Sequence, residues 1–98
     1  MNKINYPKSS EILFLRGDIN YTEFHLVDGK MIVSSFTLKK HEEYLEGFLR
    51  VSKKHLVNPD FVKKVAVDGA KAQVELNDGK RLTVSRRRID YVKNIFFL

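Results

Sequence analysis

The stretch YTEFHLVDGKMIVSSF, residues 21–36, contains two β-prone runs joined by an Asp-Gly pair. In the first run, Thr22, Phe24 and Leu26 alternate with residues that carry polar groups, which is the period of a strand with one buried face. Asp28-Gly29 between two such runs is the strongest short-range signal for a β-hairpin. The stretch therefore predicts two antiparallel strands.

Further β-prone runs, bounded by Gly, Pro, Asn, Asp or Lys, extend from this hairpin in both directions. They cover residues 11–17, 48–52, 55–58, 61–67, 70–76 and 81–84. The alternation is clearest in 70–76, where Ala72, Val74 and Leu76 are expected to face inward. A second Asp-Gly turn at 68–69 and the turn at 77–80 connect the last three runs. We expect a mainly β fold built from antiparallel sheets.

A helical period replaces the β pattern after Thr37. Leu38, His41, Leu45 and Phe48 recur at steps of three and four residues, which predicts one short amphipathic helix. Thr37 is the expected N-cap, and the helix is expected to stop near Gly47. His41 is expected to pack beside the apolar side of this helix.

A second helix is predicted at the C-terminus, where Ile89, Val92 and Ile95 have helical spacing. If Ser85 caps this helix, three arginines at 86–88 occupy its first turn. The backbone dipole makes this position favourable for acidic residues and unfavourable for cations. Such a violation of a local rule is expected where function overrides stability.

The length and composition predict one domain. Ninety-eight residues with 43% hydrophobic content can fill a single small core. Residues 1–8 are polar and lack periodicity, so we expect a flexible tail followed by a domain over 9–98. The chain has no cysteine, which excludes disulfides and thiolate zinc sites. It has neither a run of about 20 apolar residues nor a signal peptide, so we expect a cytoplasmic protein with no membrane contact.

The sequence contains no recognisable catalytic or metal-binding motif. His25, His41 and His55 are widely spaced and form no H-x-x-x-H pair. There is no glycine-rich phosphate loop and no nucleophile elbow, and the aspartates fall mostly in or beside turns. We therefore expect no enzymatic activity, no cofactor and no metal.

The positive charge is concentrated in one half of the chain. The net charge is +6; residues 1–49 contain six Lys and Arg against seven Asp and Glu, whereas residues 50–98 contain twelve against five. This asymmetry indicates a polyanionic partner, because phosphate neutralisation provides most of the sequence-independent affinity for nucleic acid. Charge alone leaves an anionic membrane or a merely solvated basic face open.

Polar residues gather at three places where strands end. Asn20 and Tyr21 precede one strand, Lys53 and Lys54 follow Arg50 between two strands, and the three arginines follow the last strand. Arg and Lys bond guanine edges or phosphates, and Asn bonds adenine or phosphate. These positions predict a nucleic-acid interface along one edge of the sheet.

The blocks GDINYTEFHLVDGK, FLRVSKKHLVNPDFVKKV and LNDGKRLTVSRRRIDYVK occur in this order over residues 17–93. Together they make residues 9–97 resemble the LytTR-type DNA-binding domain of bacterial transcription and response regulators. The resemblance implies an elongated fold of antiparallel sheets with a short internal helix. It also implies sequence-specific binding of double-stranded DNA in two-component signalling, with loops inserted into successive major grooves of a bent duplex. Paired direct-repeat promoter sites and a homodimer on DNA are further implications.

The resemblance also assigns roles to individual residues. It implies base contacts by Asn20, Lys53 and Arg87. The residues implied to contact phosphates are Tyr21, Lys54, Arg86 and Arg88 and, more weakly, Lys80 and Lys39. Ser52 stands where the family commonly has histidine, and Lys53 lacks the bidentate fork of the arginine common there. Sequence preference is therefore the property least expected to carry over.

Two alternatives remain from other functional classes. An RNA-binding β module would need aromatic residues for base stacking, and the expected exposed candidates are few, chiefly Tyr21 and Tyr91. A protein-interaction domain could use the apolar residues 95–98 as a homodimer seam. Packing of Phe96 or Phe97 into the core is the preferred interpretation of that segment.

Overall fold

A computed structural model describes residues 7–97, and strands dominate this segment, which confirms the mainly β fold. The strands are β1 (Ile12–Gly17), β2 (Thr22–Leu26), β3 (Met31–Ser34), β4 (Leu49–Ser52), β5 (His55–Val57), β6 (Val62–Asp68), β7 (Lys71–Leu76) and β8 (Arg81–Val84). The helices are α1 (Leu38–Tyr44) and α2 (Ile89–Phe96). Short 3-10 turns cover Ser9–Glu11, Pro59–Phe61 and Arg86–Arg88.

The strands form two antiparallel sheets. The five-stranded sheet has the order β3-β2-β1-β5-β4, and the three-stranded sheet has the order β6-β7-β8. The predicted hairpin over 21–36 is confirmed, because Glu23 pairs with Val33 and Phe24 pairs with Ile32 across β2 and β3. Gly29 has a φ of 88°, which this tight turn requires. β3 is an outer strand, and its Met31, Ile32 and Val33 side chains are exposed.

The core has two parts, one on each face of the five-stranded sheet. Helix α1 covers one face, where Leu38 and Leu45 pack with Ile12, Leu15, Phe24 and Leu56. The three-stranded sheet and α2 cover the other face, where Ala72, Val74, Leu76 and Val92 pack with Leu13, Phe14, Val51 and Val57. The β1–β2 register shifts between Ile12 and Phe14, so the adjacent residues Leu13 and Phe14 belong to the same cluster.

Helix α1 begins and ends close to its predicted positions. The Thr37 hydroxyl accepts a hydrogen bond from the Lys40 amide at 3.3 Å, as an N-cap does. His41 is buried with its Nε2 atom 2.8 Å from Ser34 Oγ and its ring edge-on to Phe24 at 4.8 Å. Burial lowers the pKa of His41 below its ordinary value of 6.5. The expected packed histidine is confirmed.

The start of the C-terminal helix differs from the prediction. Arg86–Arg88 form a 3-10 turn, and α2 begins at Ile89, so the arginines precede the α-helix and do not occupy its first turn. The Ser85 side chain caps no backbone amide and instead lies 3.4 Å from Nη1 of Arg88. A tighter turn closes here because the Arg88 amide donates to the Ser85 carbonyl at 2.9 Å.

The described domain measures 45 × 25 × 21 Å, which confirms an elongated shape. Most of the predicted tail, residues 1–6, lies outside the described residues, as does Leu98. Phe96 packs against the core, whereas the Phe97 side chain is exposed. Within residues 7–97 no helix has the length and apolar content needed to cross a membrane.

Candidate nucleic-acid interface

The first loop, residues 18–21, is a tight turn between β1 and β2. The Asp18 amide donates to the Tyr21 carbonyl at 2.8 Å, and the Ile19 amide donates to Asp18 Oδ1 at 2.7 Å. The Ile19 amide, and then the Tyr21 hydroxyl, lower the pKa of the Asp18 carboxyl, while the hydrogen bond to Asp18 raises the pKa of Tyr21. Asn20 and Tyr21 are both exposed at this turn.

The second loop, Lys53 and Lys54, connects β4 to β5 and exposes both lysines. The β4–β5 register shifts between Arg50 and Ser52, immediately before the loop. Ser52 Oγ accepts a hydrogen bond from the Lys54 amide at 3.3 Å and lies 3.2 Å from Nδ1 of His55. The hydroxyl of Ser52 is therefore turned toward the loop's own backbone and toward β5.

The Arg50 side chain joins the second loop to helix α1. Its Nε donates to the Ser52 carbonyl at 2.8 Å, and its Nη2 donates to the Lys53 carbonyl at 2.7 Å. Its Nη1 donates to Glu42 Oε1 at 2.6 Å. The sequence placed Arg50 beside the loop lysines. No local pattern indicates its pairing with Glu42, which lies eight residues away on another element.

The third segment, residues 85–88, contains the three arginines. Arg86 and Arg87 are exposed, and Arg88 is half-buried. The Ser85 amide donates to the Val51 carbonyl at 2.8 Å, which attaches the segment to β4.

Two backbone hydrogen bonds set the three segments side by side. The Gly17 amide donates to the Lys54 carbonyl at 2.8 Å and connects the first loop to the second, while Ser85 is bonded to the strand that leads into the second loop. A groove of about 480 Å³ lies between the first loop, the start of α1 and the second loop, and Lys39, Lys53 and Lys54 line it. A second groove, of about 520 Å³, joins the second loop to Ser85 and Arg81.

Lys80 is placed differently from the other predicted contacts. It lies in the β7–β8 turn, and its Nζ atom is 5.7 Å from the centroid of the Phe14 ring. Strand β8 separates it from Arg86 by roughly 20 Å at the usual rise per residue. Lys80 therefore lies at the opposite end of β8 from the third segment.

The ion pairs of the described residues leave the cations of the candidate interface unpaired. Glu23 pairs with Arg16, Glu42 with Arg50, Asp28 with Lys30, and Glu75 with Lys63, Lys64 and Arg81. Over residues 7–97, no carboxylate within 4.0 Å is seen for Lys39, Lys53, Lys54, Arg86, Arg87 or Arg88. Pairing of the arginines with Asp90 is absent from the same span. The positive charge of these side chains is available to a polyanion.

Comparisons with known proteins agree with this architecture. The LytTr DNA-binding domain family matches residues 2–97. Among solved structures, the chain is similar to the LytTr DNA-binding domain of a protein described as a methyl-accepting/DNA response regulator from Bacillus cereus, with a TM-score of 0.82 and 17% identity over 92% of this chain and 84% of that chain. No curated protein matches the sequence significantly. Because the family match spans nearly the whole chain, the protein belongs to the LytTR family of DNA-binding domains.

Proposed function

We propose that this domain is a sequence-specific reader of double-stranded DNA in a bacterial transcription regulator. DNA binding by a regulator follows from membership of the LytTR family, which is a family of DNA-binding domains and not of enzymes. The observation that carries the finer proposal is the side-by-side arrangement of two loops and one arginine segment whose cations have no carboxylate partner within residues 7–97.

The proposal divides these side chains between bases and backbone. Asn20, Lys53 and Arg87 contact base edges, since amide, ammonium and guanidinium groups match the hydrogen-bonding edges of the major groove. Each of the three is exposed and lies on a different segment. The phosphate contacts come from Lys54, Arg86 and Arg88, with additional contacts from Tyr21, Lys39 and Lys80. Phosphate contacts determine the position of the protein on the duplex, and base contacts determine which DNA sequence it prefers.

The dimensions of the domain support contact with successive grooves. Its long dimension of 45 Å exceeds one turn of B-DNA, about 34 Å, so one copy is long enough to reach more than one groove. We propose that the duplex bends toward the three segments, because added phosphate contacts repay the cost of bending. Two copies on paired direct repeats, as a homodimer on DNA, would extend the site.

Single-stranded nucleic acid is the less favoured partner. Stacking of unpaired bases needs exposed aromatic rings near the cations. The Tyr21 side chain is exposed, but it is the single aromatic side chain in the three segments. Tyr91 is exposed but belongs to α2.

Selection from a random duplex library tests the proposal. The recovered sites are then titrated over a range of salt concentrations and in competition with single strands of the same sequence. We expect a short repeated motif that binds more tightly than random duplex and outcompetes the single strands. If no motif is enriched and binding is lost at moderate salt, the domain binds DNA only by non-specific electrostatic attraction, and the proposal of sequence-specific binding is wrong.

A further inference from the structure

We propose that Arg50 and Glu42 form a clasp that positions the second loop for DNA binding, with Arg50 as a positioning residue that does not itself contact DNA. The inference rests on the proposed function, because it assigns the second loop to the duplex. The clasp consists of the Arg50 guanidinium, the Glu42 carboxylate on α1 and the carbonyls of Ser52 and Lys53.

The guanidinium of Arg50 is committed to the protein on all three of its nitrogens. Nε and Nη2 bind two consecutive loop carbonyls, and Nη1 binds Glu42, at distances of 2.6 to 2.8 Å. Its side chain is 16% exposed, whereas Lys53 and Lys54 are exposed. The planar fork of arginine holds such an arrangement rigidly, and a lysine ammonium cannot reproduce it.

The chemistry of the second loop explains the need for a clasp. Lys53 and Lys54 are adjacent cations at the tip of a short hairpin, so they repel each other and gain freedom if the hairpin opens. Ordering such a loop at the moment of binding would reduce affinity, and ordering it beforehand removes that cost. The loop carbonyls bound by Arg50 are fixed in the free domain.

The carboxylate of Glu42 makes the clasp electrically neutral. It neutralises the Arg50 guanidinium, so the clasp orders the loop without adding net charge beside the two lysines. It also ties the loop to α1, whose Lys39 lines the same groove as Lys53 and Lys54. Removing the carboxylate makes the domain more positive and at the same time loosens the loop. Simple charge attraction to DNA and the clasp therefore predict opposite effects of the same substitution.

The experiment compares Glu42→Ala with Glu43→Ala. Both remove one carboxylate from α1 at neighbouring exposed positions, and within residues 7–97 no ion pair or side-chain hydrogen bond involves Glu43. We expect Glu42→Ala to weaken binding to the selected duplex about tenfold. We expect Glu43→Ala to bind as the unsubstituted domain does, or more tightly. Equal or tighter binding by Glu42→Ala would overturn the clasp.

Arg50→Lys and Arg50→Ala separate positioning from a phosphate contact. A phosphate contact would be rescued by lysine, and its loss would make the slope of log K against log salt shallower by about one. The clasp predicts that both variants lose affinity about equally and keep the slope of the unsubstituted domain. Rescue by lysine, or a reduced slope, would contradict the positioning role.

A measurement on the free domain keeps the inference independent of DNA. Amide hydrogen exchange at Lys54, whose amide donates to Ser52 Oγ, should be faster in Glu42→Ala than in Glu43→Ala, at equal melting temperature or after correction for it. Equal exchange in the two variants would overturn the clasp. If the unsubstituted domain binds no duplex at all, the proposed function fails, and the exchange data alone decide the clasp.

Discussion

Arg86 and Arg87 are neighbours of the same charge with different surroundings. Arg86 lies beside the β6–β7 turn and α2, where it lines a groove with Ala70, Asp90 and Lys93. Arg87 is exposed and, among residues 7–97, has no ion-pair or hydrogen-bond partner. We therefore expect Arg87 to be the arginine that reaches a base and Arg86 to contact the backbone from the flank of the third segment.

Arg87→Ala should cost about 1–3 kcal/mol of binding free energy and relax the preference at one base pair, because a base contact is lost. Arg86→Ala should weaken all sequences alike and make the salt slope shallower by about one, because a phosphate contact is lost. Titrations against the selected site and its single-base variants measure both effects. Uniform loss from both substitutions would contradict the division between base and phosphate.

Asn58 shows how one polar side chain stabilises two parts of the chain. Its Nδ2 donates to the Ser9 and Ile12 carbonyls at 3.0 and 2.9 Å, and its Oδ1 accepts from the Asp60 amide at 3.0 Å. Asn58-Pro59 ends a β-prone run in the sequence, which indicates a break in the strand, but no local pattern indicates partners that lie more than 45 residues away.

Asn58→Ala should lower the free energy of unfolding by about 2–3 kcal/mol, because buried carbonyls and an amide lose their partner. For a domain of this size the Tm falls by roughly 10 °C or more. Thermal unfolding followed by circular dichroism measures it. Asn77→Ala, in an exposed turn, is the matched control and should change the Tm little. An unchanged Tm for Asn58→Ala would refute this role.

At the scale of elements, local patterns predicted β2, β7, β8 and α1 because each buries one side and is therefore periodic. Ala72, Val74 and Leu76 are buried as their alternation indicates. The pairing of β1 with β5 could not be predicted, because the two strands are 38 residues apart and no local sequence pattern depends on their contact. The 3-10 turn before α2 was also missed, because its serine and arginines resemble the start of an α-helix.

Close packing of α1 on β1 depends on the absence of a side chain at Gly17. A Cβ atom at this position would lie 2.7 Å from Cβ of Leu38, and that atom is fixed to the helix backbone. Gly17→Ala should therefore displace α1 and cost about 1–3 kcal/mol of stability. Gly47, at the other end of α1, has a φ of 84° with open space around it.

Denaturant unfolding of Gly17→Ala and Gly47→Asn tests this account of the helix. Asparagine tolerates the left-handed conformation, so Gly47→Asn should remain close to the unsubstituted domain. If Gly17→Ala has the stability of the unsubstituted domain, α1 does not approach β1 as closely as described.

For the whole molecule, we expect the pH dependence of stability to involve two histidines, His41 and His55. Burial lowers the pKa of His41, and burial together with Arg16 and other nearby cations lowers the pKa of His55. The unfolded chain then binds protons that the folded domain does not bind, beginning near the ordinary pKa of 6.5. Stability should be fully present above pH 6.5 and should fall as the pH decreases toward the folded-state values.

Denaturant midpoints at pH 7.5, 6.5 and 5.5 measure this dependence. The midpoint should decrease from pH 6.5 to pH 5.5, and His55→Gln should flatten the decrease. Constant or rising stability on acidification would show that the two histidines are not held neutral by the fold.

The sequence alone predicted a basic, mainly β domain, and the blocks around Asn20, Lys53 and Arg87 predicted its family. It could not show that the second loop lies between the other two segments, because that order depends on backbone bonds between residues such as Gly17 and Lys54. The contacts of Arg50 with Glu42 and with the loop carbonyls could not be predicted for the same reason. Charge counts reveal how many cations exist and leave open which of them are already paired.

The outer strand β3 has a consequence for handling the domain at high concentration. Met31, Ile32 and Val33 present 51%, 44% and 58% of their surface, and the strand itself contains no charged residue. An uncharged apolar edge is a template for cross-strand aggregation between copies. We therefore expect this edge to limit colloidal stability, and with it the concentration that crystallisation or NMR can use. Val33→Lys should raise the concentration at which the domain stays monomeric, measured by light scattering, and it leaves every residue of the proposed DNA interface unchanged.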